Sequence, residues 1–181
     1  APASTTVITS EEIRSFGYST LAEALAAVRG FFITDDRIYS HVGIRGFSPP
    51  GDLNTRVLIL WDGHAMNDVW AGQGYAGRDL TVDLREVERI EIIRGPGSAL
   101  YGTGALFAVV NVVPKASLKA HHVEATGGFG ALTAFHGRLS AGATMPGDND
   151  PPAAMASVAG YGAAGAETTD LGTLGRVYGL D

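Results

Sequence analysis

The feature that most constrains the fold is a pair of short β-branched runs joined by a glycine-rich turn. Residues 90–93 and 109–113 consist mainly of isoleucine and valine, and runs of this length and type favour buried strands over helices. Between them, residues 95–97 (Gly-Pro-Gly) predict a turn directly after Arg94, and Gly102 is expected to end one helical turn. A guanidinium at the end of a buried strand must be paired or reach water, because an unpaired buried charge is very costly.

The rest of the first 115 residues mixes helix and strand signals. Two short helices are predicted by capping boxes, in which a threonine precedes a glutamate by three positions: Thr9 with Glu12, and Thr20 with Glu23. Residues 57–61 form a continuous apolar run that predicts a strand, and Asp62 and Gly63 predict a tight turn after it. The pattern predicts the α+β fold class, with a small domain built from a mixed β-sheet and short helices.

Two long polar connections, residues 47–56 and 67–80, interrupt this domain. Loops of this length in a compact domain are usually either functional or unstructured. Trp70 and Tyr75 in the second loop favour a function, because aromatic side chains on surface loops provide contact area for a ligand. Pro49 and Pro50 in the first loop support the same interpretation. Both loops are therefore candidates for ligand contact.

Five segments in a fixed order carry a family resemblance. Residues 89–115, RIEIIRGPGSALYGTGALFAVVNVVPK, resemble the end of the plug domain of TonB-dependent outer-membrane receptors. The other segments lie upstream: VITSEEI from residue 7, TLAEALAAVRG from residue 20, VGIRGF from residue 42 and RVLILWDGHAMND from residue 56. Each segment is weak alone, but the ordered set is highly specific and covers residues 7–114.

The resemblance implies two domains. Residues 1–115 match the plug domain, and residues 116–181 would be the truncated start of the transmembrane β-barrel. Alternating segments at residues 119–127, 132–143 and 155–162 agree with this assignment, because strands of about ten residues with short turns are typical of barrel hairpins. A plugged transporter barrel has about 22 strands. A few antiparallel strands form only an incomplete barrel, so we expect the chain to be a fragment.

The resemblance also implies a transport function. Receptors of this family bind a scarce ligand, such as a ferric siderophore, haem, cobalamin or a glycan, and import it across the bacterial outer membrane. The plug lies inside the barrel and faces the periplasm, where a TonB-type energy-coupling protein pulls on an N-terminal box to open a path. No convincing box precedes Val7, so we expect this chain not to couple to that partner by itself.

Two sets of site residues follow from the resemblance. Ligand contact is expected at loop residues that match the apex of the family's plug: Arg37, Tyr39, Pro50, Gly51, Asp52, Met66, Asn67, Trp70, Gln73 and Tyr75. Arg45 and Arg94 match arginines that pair with glutamates on the inner barrel wall, and they are expected to lock the plug to the barrel. Without the barrel, we expect both guanidiniums to be solvated and to contribute little to stability.

Other functions find no support in the sequence. A net charge of −6 provides no electrostatic footprint for nucleic acid or anionic lipid. The chain has no cysteine, and its 5 histidines show no metal-ligand spacing, so neither a metal site nor a cofactor is predicted. Residues 95–98 match neither a dinucleotide fingerprint nor a phosphate loop. No nucleophile, base and orienting group occur together, so we do not expect an enzyme.

Two alternatives stay open at this point. One is a free-standing soluble plug-like module that binds a ligand or partner without a pore. The other is a structural β-fragment of the adhesin type that shares the strand pattern. A long encoded continuation with alternating strands would separate the receptor from both alternatives.

Overall fold

The computed structural model describes residues 4–36, 38–49, 51–80, 82–115, 122–129, 135–144 and 153–162 of the 181-residue chain. The chain divides into two compact units, Ala1–Lys115 and Ala116–Asp181. The first unit combines a mixed sheet with short helices, and the described part of the second consists of antiparallel strands. The predicted fold class is confirmed. Within the described residues, no helix has the length and apolar character needed to cross a membrane.

The first unit contains one large sheet and one separate hairpin. Its elements are β1 Ser4–Thr9, α1 Ser10–Phe16, α2 Leu21–Ala26, β2 Phe31–Asp35, β3 Ser40–Ile44, β4 Val57–Trp61, β5 His64–Ala65, a 3₁₀ helix Leu84–Glu86, β6 Val87–Arg94, α3 Ser98–Tyr101 and β7 Ala108–Pro114. The large sheet has the order β1-β6-β7-β4-β5. In it β4 and β7 pair in parallel, and the other pairs are antiparallel. Strands β2 and β3 form the separate antiparallel hairpin.

The first two helices begin where their capping boxes predict. At α1 the Glu12 N–H donates to Oγ1 of Thr9 at 3.3 Å, and the Thr9 N–H donates to Oε2 of Glu12 at 2.8 Å. Thr20 and Glu23 form the same reciprocal pair at α2. Helix α1 ends at Gly17, whose φ of 70° lies in the left-handed region that favours glycine. Both local predictions are confirmed.

The helices cover one face of the large sheet. Ile13 of α1 and Leu21 and Leu25 of α2 are buried in one cluster with strand residues that include Ile59, Ile90, Ile92, Val110 and Val112. Burying one such side chain stabilises the folded state by roughly 1.5–3 kcal/mol relative to leaving it exposed. This cluster is therefore the main stabilising feature of the first unit.

The opposite face of the same sheet is covered by the segment between β6 and β7. A second buried cluster lies there, formed by Leu58, Leu60, Ala105 and Val109, with Ile93 packed against it. Gly97 of the covering segment lies so close to Val109 that an added Cβ would be 3.0 Å from a valine methyl group. The centre of the sheet is thus buried on both faces, which explains why β4 is apolar throughout and why β7 is apolar on both sides of Asn111.

The described residues of the second unit form an antiparallel meander. Its strands are β8 His122–Phe129, β9 Phe135–Thr144 and β10 Ala153–Gly162, in the order β10-β9-β8. One face of β8 and β9 is apolar and exposed, with exposures of 75, 96, 50 and 54% at Val123, Phe129, Phe135 and Leu139. The other face carries the half-buried Glu124 and Thr126 and the buried Arg138. This sheet therefore exposes its apolar face and shields its polar face.

Candidate functional site

Three loops of the first unit are joined by the side chains of Asn54 and His41. They are the hairpin loop between β2 and β3, the proline loop at residues 47–56 and the tryptophan loop at residues 67–80. Oδ1 of Asn54 accepts a hydrogen bond from the Val42 N–H at 2.6 Å, and its Nδ2 donates to the carbonyl oxygens of Ser40 at 3.0 Å and Gly74 at 2.7 Å. One side chain thus joins β3, the proline loop and the tryptophan loop.

Asn54 occupies a position with special backbone requirements. Its φ is 60°, a left-handed conformation that asparagine adopts more readily than most residues. The residue is 5% exposed, and its amide completes hydrogen bonds that strand β3 would otherwise leave open at this edge. A substitution that removes the amide leaves buried backbone groups without partners, which destabilises the fold.

Asn67 repeats this arrangement on β4. Its Oδ1 accepts from the Ile59 N–H at 2.8 Å, and its Nδ2 donates to the carbonyl oxygens of Val57 at 3.0 Å and Gly72 at 2.9 Å. Asn54 therefore binds strand β3 and Asn67 binds strand β4. Each also donates to a carbonyl oxygen in residues 72–74 of the tryptophan loop. Asn67 was a predicted ligand contact, but the structure engages both of its amide hydrogens within the fold.

Asp68 holds the tip of the tryptophan loop. Its Oδ1 accepts from the N–H groups of Trp70 at 2.8 Å and Ala71 at 2.7 Å, and its Oδ2 accepts from the Gln73 N–H at 2.8 Å. These donors, Ala71 first, hold the pKa of Asp68 below its usual value. Val69 is fully exposed and Trp70 is 97% exposed. The loop thus presents an indole ring to solvent on a backbone that is fixed by hydrogen bonds.

Asp52 organises the proline loop. Its carboxylate accepts from the Thr55 N–H at 3.1 Å, from the Thr55 hydroxyl at 2.6 Å and from the Arg56 guanidinium at 3.0 Å. The side chain of Asp52 is 14% exposed. Its carboxylate is accordingly committed to the loop itself, although the sequence predicted it as a ligand contact.

A histidine connects the hairpin loop to the proline loop. Nδ1 of His41 lies 3.1 Å from the carbonyl oxygen of Asp52, and Nε2 lies 3.1 Å from Oδ2 of Asp36. The other oxygen of Asp36 accepts from the N–H groups of Ile38 at 2.9 Å and Tyr39 at 2.7 Å. The Tyr39 and Ile38 N–H groups, followed by His41, lower the pKa of Asp36 to about 2.

The other predicted contact residues differ in accessibility. The Tyr75 hydroxyl donates to Oε1 of Gln73 at 3.1 Å, so these two side chains lie together in the tryptophan loop. Tyr39 is 36% exposed in the hairpin loop, and Gly51 is exposed with a φ of 76°. Met66 is partly buried and packs against the core. Arg37 and Pro50 lie outside the described residues.

The two predicted locking arginines have different surroundings. Arg45 is exposed in a tight turn, where its φ is 54° and that of Gly46 is 81°. Arg94 is half buried and donates to the carbonyl oxygen of Arg29 at 2.6 Å, to Oγ of Ser4 at 2.6 Å and to Oγ1 of Thr6 at 3.0 Å. The expectation that both guanidiniums would be solvated is wrong for Arg94, because acceptors from β1 and from the segment after α2 surround it.

A groove of about 450 Å³ lies between the turn that contains Arg45 and the turn that follows Arg94. It is lined by Ile44, Arg45, Phe47, Gly95, Pro96, Leu106 and Phe107. The guanidinium of Arg56 lies 5.7 Å from the ring centre of Phe47 and 6.0 Å from that of Phe107. Cations at this distance from an aromatic face are attracted to it. Arg56 therefore links the proline loop, through Asp52, to the wall of the groove.

Sequence reasoning missed the residues that organise the loops. Asn54 was not singled out, Asp68 appeared only as part of a family segment, and His41 was weighed only as a metal ligand. A usable signal existed for Asn54 and Asp68, because asparagine and aspartate in glycine-rich loops often bond to nearby backbone. Among the described residues, no group of His, Asp and Glu side chains could hold a metal ion.

Comparison with known proteins agrees with this architecture. Residues 1–109 match the family described as the TonB-dependent receptor plug domain. The vitamin B12 transporter BtuB of Vibrio vulnificus is 36% identical over 118 residues, which cover 64% of this chain and 18% of that protein. An iron-regulated outer membrane virulence protein of Vibrio cholerae is 33% identical over 119 residues, with coverages of 64% and 18%. The crystal structure of the ferric yersiniabactin uptake receptor FyuA from Yersinia pestis superposes with a TM-score of 0.69 at 19% identity, covering 87% of this chain and 24% of that one.

These matches establish the family. The chain belongs to the TonB-dependent receptor plug domain family, because the family match covers more than half of its length. The predicted resemblance is confirmed. The chain spans about 18% of the length of the curated relatives that it matches. Those relatives are named as a transporter and as an outer-membrane protein rather than as enzymes.

Proposed function

We propose that this chain is the plug and the first barrel strands of an outer-membrane receptor that binds a scarce ligand and gates its TonB-driven uptake. The ligand is a ferric siderophore, haem, cobalamin or a similar small molecule or metal chelate. Family membership supports this proposal. So do the names of similar proteins, which specify vitamin B12 transport and ferric yersiniabactin uptake.

The observation that carries the proposal is the exposed indole on a fixed loop. Trp70 is 97% exposed, while Asp68 and Asn67 hold the loop backbone around it. A solvent-facing ring contributes little to packing of the plug. A ring on a preorganised loop is instead well suited to ligand contact, because little conformational entropy is lost on binding. Trp70 is therefore the residue on which the proposal most depends.

The contacts and bonds of the three loops suggest distinct roles for the predicted residues. Trp70, Tyr75, Gln73 and Tyr39 are proposed as direct ligand contacts, since their side chains lie in loops with exposed surface. Asp52 and Asn67 are proposed as positioning residues, because their polar atoms are bonded within the fold. Arg37, Pro50, Gly51 and Met66 stay predicted contacts.

A binding and import assay on the full-length receptor tests the ligand site. Cyanocobalamin and ferric yersiniabactin serve as probes, chosen from the ligands that the names of similar proteins specify. Trp70→Ala should weaken binding of the transported probe by at least about 1 kcal/mol, roughly fivefold, because aromatic anchors dominate binding energy. Phe16→Ala is the matched control, since Phe16 is an exposed aromatic residue on α1, outside the three loops. Normal binding and import by Trp70→Ala and Asp52→Ala receptors would contradict the proposal.

We propose a location in the bacterial outer membrane, with the plug inside the barrel and facing the periplasm, and the strand faces of the second unit support the membrane location. The exposed face of β8 and β9 is apolar, and the opposite face carries Glu124, Thr126 and Arg138. Strands that alternate in this way expose one row of residues to lipid and the other to a polar interior. A free-standing soluble module would leave Val123 and Phe129 in water, which disfavours that alternative.

We also propose that Arg45 and Arg94 lock the plug to the barrel of the full-length receptor and that a TonB-type protein is the energy-coupling partner. Both arginine motifs border or adjoin the same groove, where Arg45 is exposed. Arg45→Ala in the full-length receptor should increase proteolysis of the plug in mild urea, and Arg14→Ala on α1 is the control. Equal proteolysis of both variants would argue against the lock.

A further inference from the structure

The ring of His41 lies between two hydrogen-bond acceptors. One is the carbonyl oxygen of Asp52, 3.1 Å from Nδ1, and the other is Oδ2 of Asp36, 3.1 Å from Nε2. A carbonyl oxygen and a carboxylate accept hydrogen bonds and donate none. A neutral imidazole carries one N–H, whereas the imidazolium carries two. Only the charged ring can therefore donate to both acceptors at once.

Loss of a proton from His41 breaks this arrangement. The neutral ring keeps one donor and turns a lone pair toward the remaining oxygen, so one of the two contacts is lost. The Asp36 contact joins the ring to the hairpin loop, and the Asp52 contact joins it to the proline loop. The side chain of His41 is 16% exposed and that of Asp36 is 51% exposed, so water can replace a lost partner at Asp36 but has less access at the partly buried contact with the Asp52 carbonyl. The His41 ring is bonded to both loops at once only while it is charged, whereas the Asn54 hydrogen bonds between the proline loop and β3 do not depend on its charge.

The charged groups around His41 favour the charged ring. The hydrogen bond to the Asp52 carbonyl is the largest of the effects that raise the pKa of His41 above its usual value. Burial acts in the opposite direction, and the negative charges of Asp36 and Asp35 raise the pKa further. The carboxylate of Asp52 is bonded to Thr55 and Arg56. Asp36 is ionised at any pH well above its own pKa of about 2.

We propose that His41 is a positioning residue whose protonation bridges the hairpin loop to the proline loop, so that the arrangement of the three-loop site depends on pH. This inference rests on the proposed ligand-binding function. A histidine whose folded-state pKa is raised stabilises the structure at low pH, and this contribution is lost as pH rises through the folded-state pKa. Rising pH therefore opens the bridge, and mildly acidic pH closes it.

Titration of the 181-residue chain by NMR tests the bridge itself. The ¹⁵N signals of the His41 ring should titrate at a higher pH than in an unfolded peptide of the same sequence. The amide signals of Ile38, Tyr39 and Thr55 should shift with the same midpoint. Asp36→Asn should lower that midpoint, since it removes the carboxylate partner.

Two histidine variants complete this test. His41→Gln should remove the shared midpoint from the loop amides, whereas His64→Gln, at the exposed histidine of β5, should leave it unchanged. A His41 midpoint at or below that of the unfolded peptide would overturn the proposal. The proposal would also be overturned if the loop amides titrated in His41→Gln with the same midpoint as in the unsubstituted chain. If His41→Gln does not fold, the Asp36→Asn midpoint decides the question.

Binding of cyanocobalamin or ferric yersiniabactin to the full-length receptor provides a separate readout. Affinity for the transported probe should fall roughly twofold to tenfold as His41 deprotonates, because apparent affinity follows the populated fraction of the competent state. His41→Gln should bind with a flat pH profile over the same range. If NMR shows the bridge but the affinity for the probe does not change with pH, the link between the bridge and ligand binding is overturned. Failure of both probes to bind at any pH would count against the proposed function and leave the NMR result to decide on the bridge.

Discussion

The sheets of the two units differ in how much of their apolar surface is buried. In the first unit, helices bury one face of the large sheet around Ile90 and Ile92, and the segment between β6 and β7 buries the other around Val109. In the second unit, β8 and β9 leave Val123 and Phe129 exposed. Both sheets contain apolar residues, so apolar content alone does not distinguish them. What differs is whether the chain itself supplies the covering layer.

The difference shows what each sheet requires from its environment. A sheet buried on both faces obtains its hydrophobic stabilisation from its own chain. A sheet with an exposed apolar face obtains none from that face in water and gains it only in an apolar environment. The first unit thus has the buried apolar surface that stabilises a fold in water. If the proposed function is correct, the exposed apolar face of the second unit contacts lipid.

The largest expected effect tests the buried sheet. Ile92→Ala should destabilise the first unit by about 2–5 kcal/mol, because the side chain is fully buried and its removal leaves a cavity. Urea unfolding of the 181-residue chain, followed by the fluorescence of Trp61 and Trp70, measures this loss. Leu139→Ala, which shortens a half-exposed residue of β9, is the control and should change that transition by less than about 0.5 kcal/mol. Equal effects of the two substitutions would erase the distinction between the units.

The next prediction tests the exposed face of the second unit. In the full-length receptor in lipid vesicles, Leu139→Arg should destabilise the protein by about 2–4 kcal/mol if this face meets the middle of the bilayer. Thr126→Glu, on the opposite face of the sheet and directly opposite Arg138, should cost clearly less, because opposite charges on facing positions attract. Urea unfolding in vesicles measures both. A smaller effect at Leu139 than at Thr126 would show that the lipid-facing side is assigned incorrectly.

A smaller effect is expected at the asparagine that joins the loops. Asn54→Ala leaves the Val42 N–H and the carbonyl oxygens of Ser40 and Gly74 without their partner. The expected cost is about 1–3 kcal/mol in urea unfolding. Asn54→Asp is a useful second variant, because its carboxylate can still accept from Val42 but cannot donate to the two carbonyls. If Asn54→Asp were as stable as the unsubstituted chain, the two donated bonds would contribute nothing.

The smallest expected effect separates the two arginines. Arg94→Ala should destabilise the 181-residue chain by about 1 kcal/mol, because three donated hydrogen bonds are lost. Arg45→Ala should change stability by less than about 0.5 kcal/mol, since its side chain is exposed. Thermal unfolding of both variants measures the difference. Equal stabilities would restore the original expectation that neither arginine contributes within the plug.

Local features of the first unit were predictable from sequence. The capping boxes at Thr9 and Thr20 set the starts of α1 and α2, because their hydrogen bonds span only three residues. The turn after Arg94 was predictable for the same local reason, and Gly95 has a φ of 126°, which few other residues adopt without strain. The ordered motifs were specific enough to identify the family. Each of these signals lies within a short stretch of chain.

The loop site needed the tertiary structure. The sequence placed Trp70 and Asp52 in long loops, but it could not show that Asn54 reaches Gly74, 20 positions away, or that Asp52 lies beside His41. It also could not show that acceptors from Ser4 and Thr6 would surround Arg94, which lies 90 and 88 positions further along the chain. The sequence by itself determined the helices, turns, apolar strands and family. Only the tertiary structure decided which polar groups became partners, because hydrogen bonding acts over about 3 Å in space, whereas sequence patterns report on neighbours along the chain.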